Sequence, residues 1–375
     1  MKPLVTANIE ILRPYKPGKP IEETEREYGV RNPVKLASNE NPLGTSPRAV
    51  EAARAACRDI NLYPDGGCYY LKEKLAKHLV QYNVEPHNLI IGNGSHEIIE
   101  FIIRTFVAPD ENVVTGEPSF MVYRLASLAH NREEIAVPLK KDLTYDLEAI
   151  AQAVNEKTKV IFLANPNNPT GRVFYVDEFE AFLAAVREDV IICLDEAYAE
   201  YLEDPNVPNG LNYAPYRHRL VVVRTFSKIY GLAGLRIGYG ISSKELINYM
   251  DRVRPPFNIN SIAQAAAIAA LDDIDHIQCS RENNRRGRAF LEKELTRMGV
   301  KWYPSQANFI LLDFERPAEP IYHALLYKGF ITRPVGNYGL HSCLRVTIGT
   351  ESQNKGFIKA LEDILNEIGY ITSKR

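Results

Sequence analysis

Lys228 closes the segment Arg224-Thr225-Phe226-Ser227-Lys228, directly after the apolar run Leu220 to Val223, and Arg236 stands eight positions further on. A lysine held on the exit turn of a buried strand loses hydration, which favours its neutral amine, the form that attacks a carbonyl group to give a Schiff base. Thr225 and Ser227 offer hydroxyls beside it, and Arg236 offers a charge-assisted contact suited to a phosphate.

Two earlier run ends carry the complementary groups. Val160 to Ala164 is continuously apolar and stops at Asn165-Pro166-Asn167-Asn168-Pro169-Thr170-Gly171, a series of turn formers that cannot extend a strand. Val190 to Leu194 stops at Asp195-Glu196-Ala197-Tyr198. A buried carboxylate such as Asp195 can keep a heterocyclic nitrogen protonated, while Asn168 and Tyr198 can both reach a phenolic oxygen. An aldehyde bearing a phosphate, a pyridine nitrogen and a phenolic oxygen meets every one of these groups. Pyridoxal phosphate is the cofactor they point to.

Such residues need a scaffold that brings three chain segments to one place. Runs without polar alternation suggest strands buried on both faces, as in a parallel sheet covered by helices, and ligands gather beyond the carboxyl ends of those strands. The fold expected is therefore α/β, with a large domain built on a mostly parallel sheet flanked by helices, plus a smaller α+β domain. Residues 1–40 form an N-terminal arm joined to the small domain, expected to be extended because Pro14, Pro17 and Pro20 block regular helix. Residues 41–275 form the large cofactor-binding domain, in which helices such as Pro47 to Cys57, Leu71 to Gln81 and the small-residue stretch Ala263 to Leu271 alternate with strands. Residues 276–375 form the small domain, with strands at Phe309 to Asp313 and Leu344 to Ile348 and a helix at Phe357 to Ile368. Arg281, Arg285, Arg286 and Arg288 are expected on the solvated face of a helix.

Composition narrows the function classes. A chain of 375 residues with formal net charge −2 and no basic stripe is a poor nucleic-acid partner. Gly92-Asn93-Gly94 runs into Glu97 where a dinucleotide fingerprint needs its third glycine, and no Gly-Lys-Ser/Thr phosphate loop is present. The five cysteines are dispersed and the eight histidines form no ligand cluster, which predicts free thiols in a reducing compartment and no metal. Met1 to Asn8 lacks the apolar core of a signal peptide, and no apolar stretch approaches the roughly 20 residues that span a bilayer. A cytoplasmic location without membrane contact is expected.

Taken together, Asn-Pro-Asn-Asn-Pro-Thr-Gly at 165–171, Asp-Glu-Ala-Tyr at 195–198, and Ser227-Lys228 followed by Gly234-Leu235-Arg236-Ile237-Gly238 resemble the aspartate-aminotransferase-like superfamily of pyridoxal phosphate enzymes. The resemblance runs from Tyr15 to the end of the chain. Within that superfamily the chain is most similar to the histidinol-phosphate aminotransferases, through Arg13-Pro14-Tyr15, Ser38-Asn39-Glu40-Asn41-Pro42, Tyr63-Pro64-Asp65-Gly66, Arg333-Pro334 and Leu344-Arg345-Val346-Thr347-Ile348-Gly349. It departs from them at Ile229, where a smaller residue often follows the lysine.

The resemblance implies a transaminase that passes the amino group of histidinol phosphate to 2-oxoglutarate in histidine biosynthesis. Aromatic amino-acid transamination and decarboxylation of a phosphorylated amino acid stay open as alternatives. Lys228 would be the Schiff-base lysine and proton carrier, Asp195 the partner of the ring nitrogen, and Asn168 with Tyr198 the ligands of the phenolic oxygen. Asn93, Gly94 and Ser95 match a phosphate-cradling turn at a helix start, completed by Ser227 and Arg236 with Thr225 assisting. Phe120 matches the aromatic residue stacked on the ring, a task Tyr123 could share. Arg345 would grip the substrate's anionic group, and Tyr15 with Arg333 a substrate phosphate. Tyr63 matches a residue that reaches the neighbouring subunit's cofactor, which implies a homodimer with shared active sites.

Overall fold

In the computed structural model, which describes residues 4–12, 14, 18–214 and 219–370, thirteen strands form three sheets among those residues. In chain order they are β1 (Val34–Lys35), β2 (Leu89–Gly92), β3 (Asn112–Glu117), β4 (Glu133–Pro138), β5 (Thr158–Ala164), β6 (Ile191–Asp195) and β7 (Leu220–Thr225). There follow β8 (Gly238–Ile241), β9 (Lys301–Tyr303), β10 (Phe309–Asp313), β11 (Phe330–Ile331), β12 (Arg333–Pro334) and β13 (Cys343–Thr347).

The large sheet has the order β2-β8-β7-β6-β5-β3-β4. Only β8 runs against the rest, pairing antiparallel with both β2 and β7, whereas β7, β6, β5, β3 and β4 pair in parallel. Its central strands explain the unbroken apolar runs. Ile161, Leu163, Ile192, Leu194 and Val222 face one helix-covered core, while Val160, Phe162, Ile191, Cys193, Val221 and Val223 face the other. Neither face meets water, so neither face needs polar residues.

A four-stranded antiparallel sheet, ordered β12-β13-β10-β9, carries a separate core with Leu312, Val346, Leu361 and Ile364. The 24-residue helix Ile274–Arg297 belongs to both bodies: Ile277 packs in the large core, and Leu291 and Leu295 pack in the small one. β1 pairs in parallel with β11, which ties the segment before residue 40 to the small sheet's side of the molecule.

Two expectations are corrected here. The N-terminal arm is not uniformly extended, since Ala7–Ile11 and Ile21–Tyr28 are helical. Pro20 stands at the N-cap, where a missing N–H costs nothing and the carbonyl still accepts from Thr24; Gly29, in the left-handed region, ends the turn. The arginine cluster is only half a solvated face. Arg285 and Arg286 pair along the helix with Glu282, but Arg281 donates to the Glu200 carbonyl and Arg288 pairs with Glu203, both of which lie in the Tyr198–Glu203 region beyond β6.

Gly238 marks a close approach of backbone to backbone in the sheet. A Cβ there would lie 2.6 Å from the Ser95 amide nitrogen and 2.9 Å from the Arg224 carbonyl oxygen. We expect Gly238→Ala to destabilise the protein by about 1–3 kcal/mol through overpacking, a loss that urea unfolding of the two proteins side by side will measure.

Candidate active site

β5, β6 and β7 end almost in line, with Ala164 opposite Asp195 and Asp195 opposite Val223. Pairing persists to the last residue, because Asn165 N–H donates to the Asp195 carbonyl and Glu196 N–H donates to the Val223 carbonyl, at 3.0 and 2.8 Å. Beyond that point the chains diverge and leave a rim. Asp195 is 4% exposed; its carboxylate accepts from the Ala197 amide at 3.1 Å and from the Tyr123 hydroxyl at 2.9 Å. Burial nevertheless pushes its pKa up to about 6, with the two donors and Lys228 pulling the other way. Behind it, Arg224 directs two N–H groups, at 3.0 and 2.7 Å, onto one oxygen of the fully buried Glu196, whose other oxygen accepts from Gly210 N–H.

Lys228 follows β7 in a tight loop. Thr225 Oγ1 accepts from Ser227 N–H at 3.1 Å, and Gly231 adopts φ +69° where a Cβ would lie 2.2 Å from the Gly44 carbonyl oxygen. The lysine's Nζ donates to the Ser38 carbonyl at 3.2 Å and lies 5.6 Å from the centre of the Tyr198 ring. Burial, then repulsion from Arg345 and Arg236, lowers its pKa to about 8, against the pull of Glu40 and Asp195. The neutral amine is therefore accessible near neutral pH.

On the other side of β7, β2 ends at Gly92 and the helix Gly94–Phe106 begins. Gly94 has φ +73°, and a Cβ on it would lie 2.5 Å from an Arg236 guanidinium nitrogen. The cradle exists only because residue 94 lacks a side chain. Arg236 thus sits over the first turn of a 13-residue helix whose free amides favour an anion. Asn93 turns its side chain to the Asn258 carbonyl at 2.6 Å and its own N–H to Glu97, so it shapes this turn without aiming its amide into the cradle.

From the small sheet, Arg333 and Arg345 are direct cross-strand partners on β12 and β13. Arg345 donates to the Asn168 side-chain carbonyl and, at 2.7 Å, to the Ala37 carbonyl. Arg333 lines a cavity of about 1440 Å³ together with Phe120, Ser119, Tyr322 and Tyr338. Phe120 is half-buried on that cavity, whereas the Tyr123 ring lies parallel to Phe162 at 5.0 Å and gives its hydroxyl to Asp195. A smaller cavity of about 420 Å³ lies beside Glu196 and Arg224. None of the site residues expected from sequence lines it.

The structure thus brings together Lys228, Asp195, Tyr198, Asn168, Thr225, Ser227, Arg345 and the Gly94–Ser95–Arg236 cradle around the aligned strand ends. Tyr63 stands apart, 83% exposed and stacked on Phe257 at 4.8 Å. Tyr15 lies outside the described residues. Two participants were not anticipated in their roles: the Tyr123 hydroxyl on Asp195, and Asn39, whose amide donates to the Tyr198 oxygen at 2.9 Å. Asn39 sits in the quoted Ser38-Asn39-Glu40-Asn41-Pro42 segment, but nothing in its spacing shows that it folds onto a tyrosine 159 residues away.

Among the described residues, no group of three or more His, Cys, Asp or Glu side chains is placed to hold a metal ion, and no helix is long and apolar enough to cross a membrane. The family model for aminotransferase class I and II matches residues 31–361. A curated histidinol-phosphate aminotransferase from Anaeromyxobacter sp. is 49% identical over 364 residues, which cover 97% of this chain and 99% of that protein. Among solved structures, the histidinol-phosphate aminotransferase from Sinorhizobium meliloti in complex with pyridoxal-5'-phosphate matches with a TM-score of 0.88 at 29% identity, covering 97% of this chain and 98% of that one. The L-threonine-O-3-phosphate decarboxylase from Porphyromonas gingivalis matches with a TM-score of 0.78 at 26% identity, covering 89% and 99%.

The electrostatics yield a stability prediction for the cofactor-free protein. Below about pH 8 the folded chain holds a charged Lys228 at a cost; between about 8 and the ordinary 10.5 the folded chain has lost that proton while the unfolded chain keeps it, so the cost fades as pH rises. Lys228→Met should therefore stabilise the protein by on the order of 2 kcal/mol at pH 7, with a smaller gain at pH 10. Urea unfolding of variant and parent at the two pH values measures the difference.

Proposed function

The chain belongs to the class I and II aminotransferase family, and from that premise we propose that it is a pyridoxal phosphate-dependent transaminase acting on histidinol phosphate and 2-oxoglutarate in histidine biosynthesis. The observation that carries this reading is the meeting of Lys228, Asp195 and the Asn168–Arg345 pair at three aligned strand ends, with Arg333 beside Arg345. When bound, pyridoxal phosphate supplies an electron sink for the charge left on the carbon that bears the amine.

The residues fit that group. The side-chain-free cradle at Gly94, with Ser95, Ser227 and Arg236 around it and Thr225 bracing the loop, suits a phosphate. Asp195, buried and oriented by two donors, would hold a ring N–H, whose positive charge offsets the cost of burying the carboxylate. Tyr198 and Asn168 would hold the phenolic oxygen, and Phe120 would cover the ring face. Lys228 Nζ would hold the aldehyde carbon and, once released, take the proton from the substrate's α-carbon and return it on the other side of the exchange.

Substrate choice rests on the arginines. Arg345 offers a fixed guanidinium to an anionic group, and Arg333 with Tyr15 would take the phosphate of histidinol phosphate or the distal carboxylate of glutamate. We assign 41–275 to the cofactor-binding domain, 276–375 to the small domain and 1–40 to the arm that joins it. We also propose a cytoplasmic homodimer. Ile60, Leu62, Tyr63, Tyr69, Tyr70 and Phe257 are all exposed, and a second copy would cover such a surface while Tyr63 reached the partner's cofactor phosphate. A phospho-amino-acid decarboxylase is the second reading, favoured by the structural likeness to the Porphyromonas gingivalis enzyme.

A donor panel of histidinol phosphate, phenylalanine, tyrosine and aspartate with 2-oxoglutarate tests the proposal. The expected outcome is glutamate formation with the highest kcat/KM for histidinol phosphate; carbon dioxide release without glutamate would select the decarboxylase. Borohydride treatment of the cofactor-loaded protein should tag Lys228 and no other lysine in a peptide map. Arg333→Ala should lower kcat/KM for histidinol phosphate about a hundredfold, and should affect phenylalanine far less. Equal losses on both substrates would remove Arg333 from phosphate recognition.

A further inference from the structure

Ala37, Ser38 and Asn39 make three successive contacts with the site. The Ala37 carbonyl accepts from Arg345, the Ser38 carbonyl accepts from Lys228, and the Asn39 side chain donates to Tyr198. Asn39 is 1% exposed and adopts φ +56°, a conformation that Asn tolerates better than most residues. Its backbone N–H donates to Thr347 Oγ1 at 2.9 Å, and its carbonyl accepts from the Asn308 amide at 2.9 Å.

These contacts fix which way the Asn39 amide points. Thr347 Oγ1 accepts the Asn39 N–H through one lone pair and gives its single proton to Asn39 Oδ1 at 3.2 Å. With Oδ1 facing Thr347, the Nδ2 amide faces Tyr198 and gives a proton to its oxygen. A phenol carries one proton and accepts through its lone pairs. The amide occupies the accepting side and leaves the hydroxyl proton of Tyr198 to be donated elsewhere.

We infer that Asn39 is a positioning residue which makes Tyr198 an obligatory hydrogen-bond donor to the cofactor's phenolic oxygen. The inference rests on the proposed function, because it needs that oxygen to lie at Tyr198. The amide also stabilises negative charge on the Tyr198 oxygen, which strengthens its O–H as a donor. Burial acts in the opposite sense and holds the Tyr198 hydroxyl at a pKa of about 12; the charged groups nearby are Lys228 from the β7 loop, Asp195 from β6 and Arg345 from β13. Since Thr347 and Arg345 share a strand and Arg345 also grips Ala37, the small sheet reaches Tyr198 through this short segment as well as through Phe309 of β10, whose ring meets the Tyr198 ring edge-on at 5.3 Å.

The test is the pH titration of the visible absorbance band of the cofactor-loaded protein. A donor on the phenolic oxygen withdraws charge from it and lowers the pH at which the neighbouring Lys228 nitrogen gives up its proton. Asn39→Gly keeps the left-handed backbone and removes the amide, so the midpoint should rise by about 0.5–1 pH unit. In a Tyr198→Phe background the same substitution should move the midpoint by less than about 0.2 unit. Should Asn39→Gly fail to fold, Thr347→Val, which frees the amide to turn, should raise the midpoint in the same sense, and Thr347→Ser should not. An unchanged midpoint in folded Asn39→Gly, or an equal rise without Tyr198, overturns the inference. A parent protein that never develops the band overturns the proposed function itself.

Discussion

Withdrawal of water from one cation and one anion at the aligned ends of β6 and β7 is the constraint around which this molecule is built. Asp195 and Lys228 are both held where burial opposes their charged forms, which places their pKa values at about 6 and about 8. Neither group is simply neutralised by a close ion pair. Asp195 is held by a tyrosine hydroxyl and a backbone amide, and Lys228 by a backbone carbonyl. Dipolar partners orient such groups without pinning their charge state, so a proton can be taken up or given away at little further cost. The fold pays for this poise with stability, and the apolar layers on both faces of the large sheet cover the deficit.

The same constraint accounts for the supporting ion pair. Glu196 follows Asp195 directly and lies wholly buried, so without Arg224 it would be a second uncompensated carboxylate beside the first. Arg224 in turn sits on β7, four residues before Lys228. The pair therefore joins the two strands that carry the acid and the amine, immediately below the rim where their side chains work. Removing either partner would leave a buried charge a few residues from the chemistry.

Much of this was legible in the sequence, for identifiable reasons. Val160–Ala164, Val190–Leu194 and Leu220–Val223 lack alternation because both of their faces are covered, and that one physical fact placed Asn168, Asp195 and Lys228 on a common rim. Local composition was a weaker guide where the outcome depended on tertiary partners. Pro20 was expected to block a helix, yet a proline at the N-cap begins one. Arg281 and Arg288 have the composition of a solvated face but reach across to Glu200 and Glu203. The Asn39–Tyr198 and Tyr123–Asp195 contacts carried no local signal, since a hydrogen bond spanning 159 or 72 residues leaves no periodicity to read.

The helix Ile274–Arg297 has a further consequence. Its first turn is anchored among the side chains around the large sheet and its last turns among those around the small one. At 24 residues it is about 36 Å long, a rod shared by two foundations. Neither body can melt without stripping one end of this rod of its apolar cover, so loss of one undermines the other. Heating should consequently dismantle the chain as a single cooperative unit, although its two sheets are packed on separate cores.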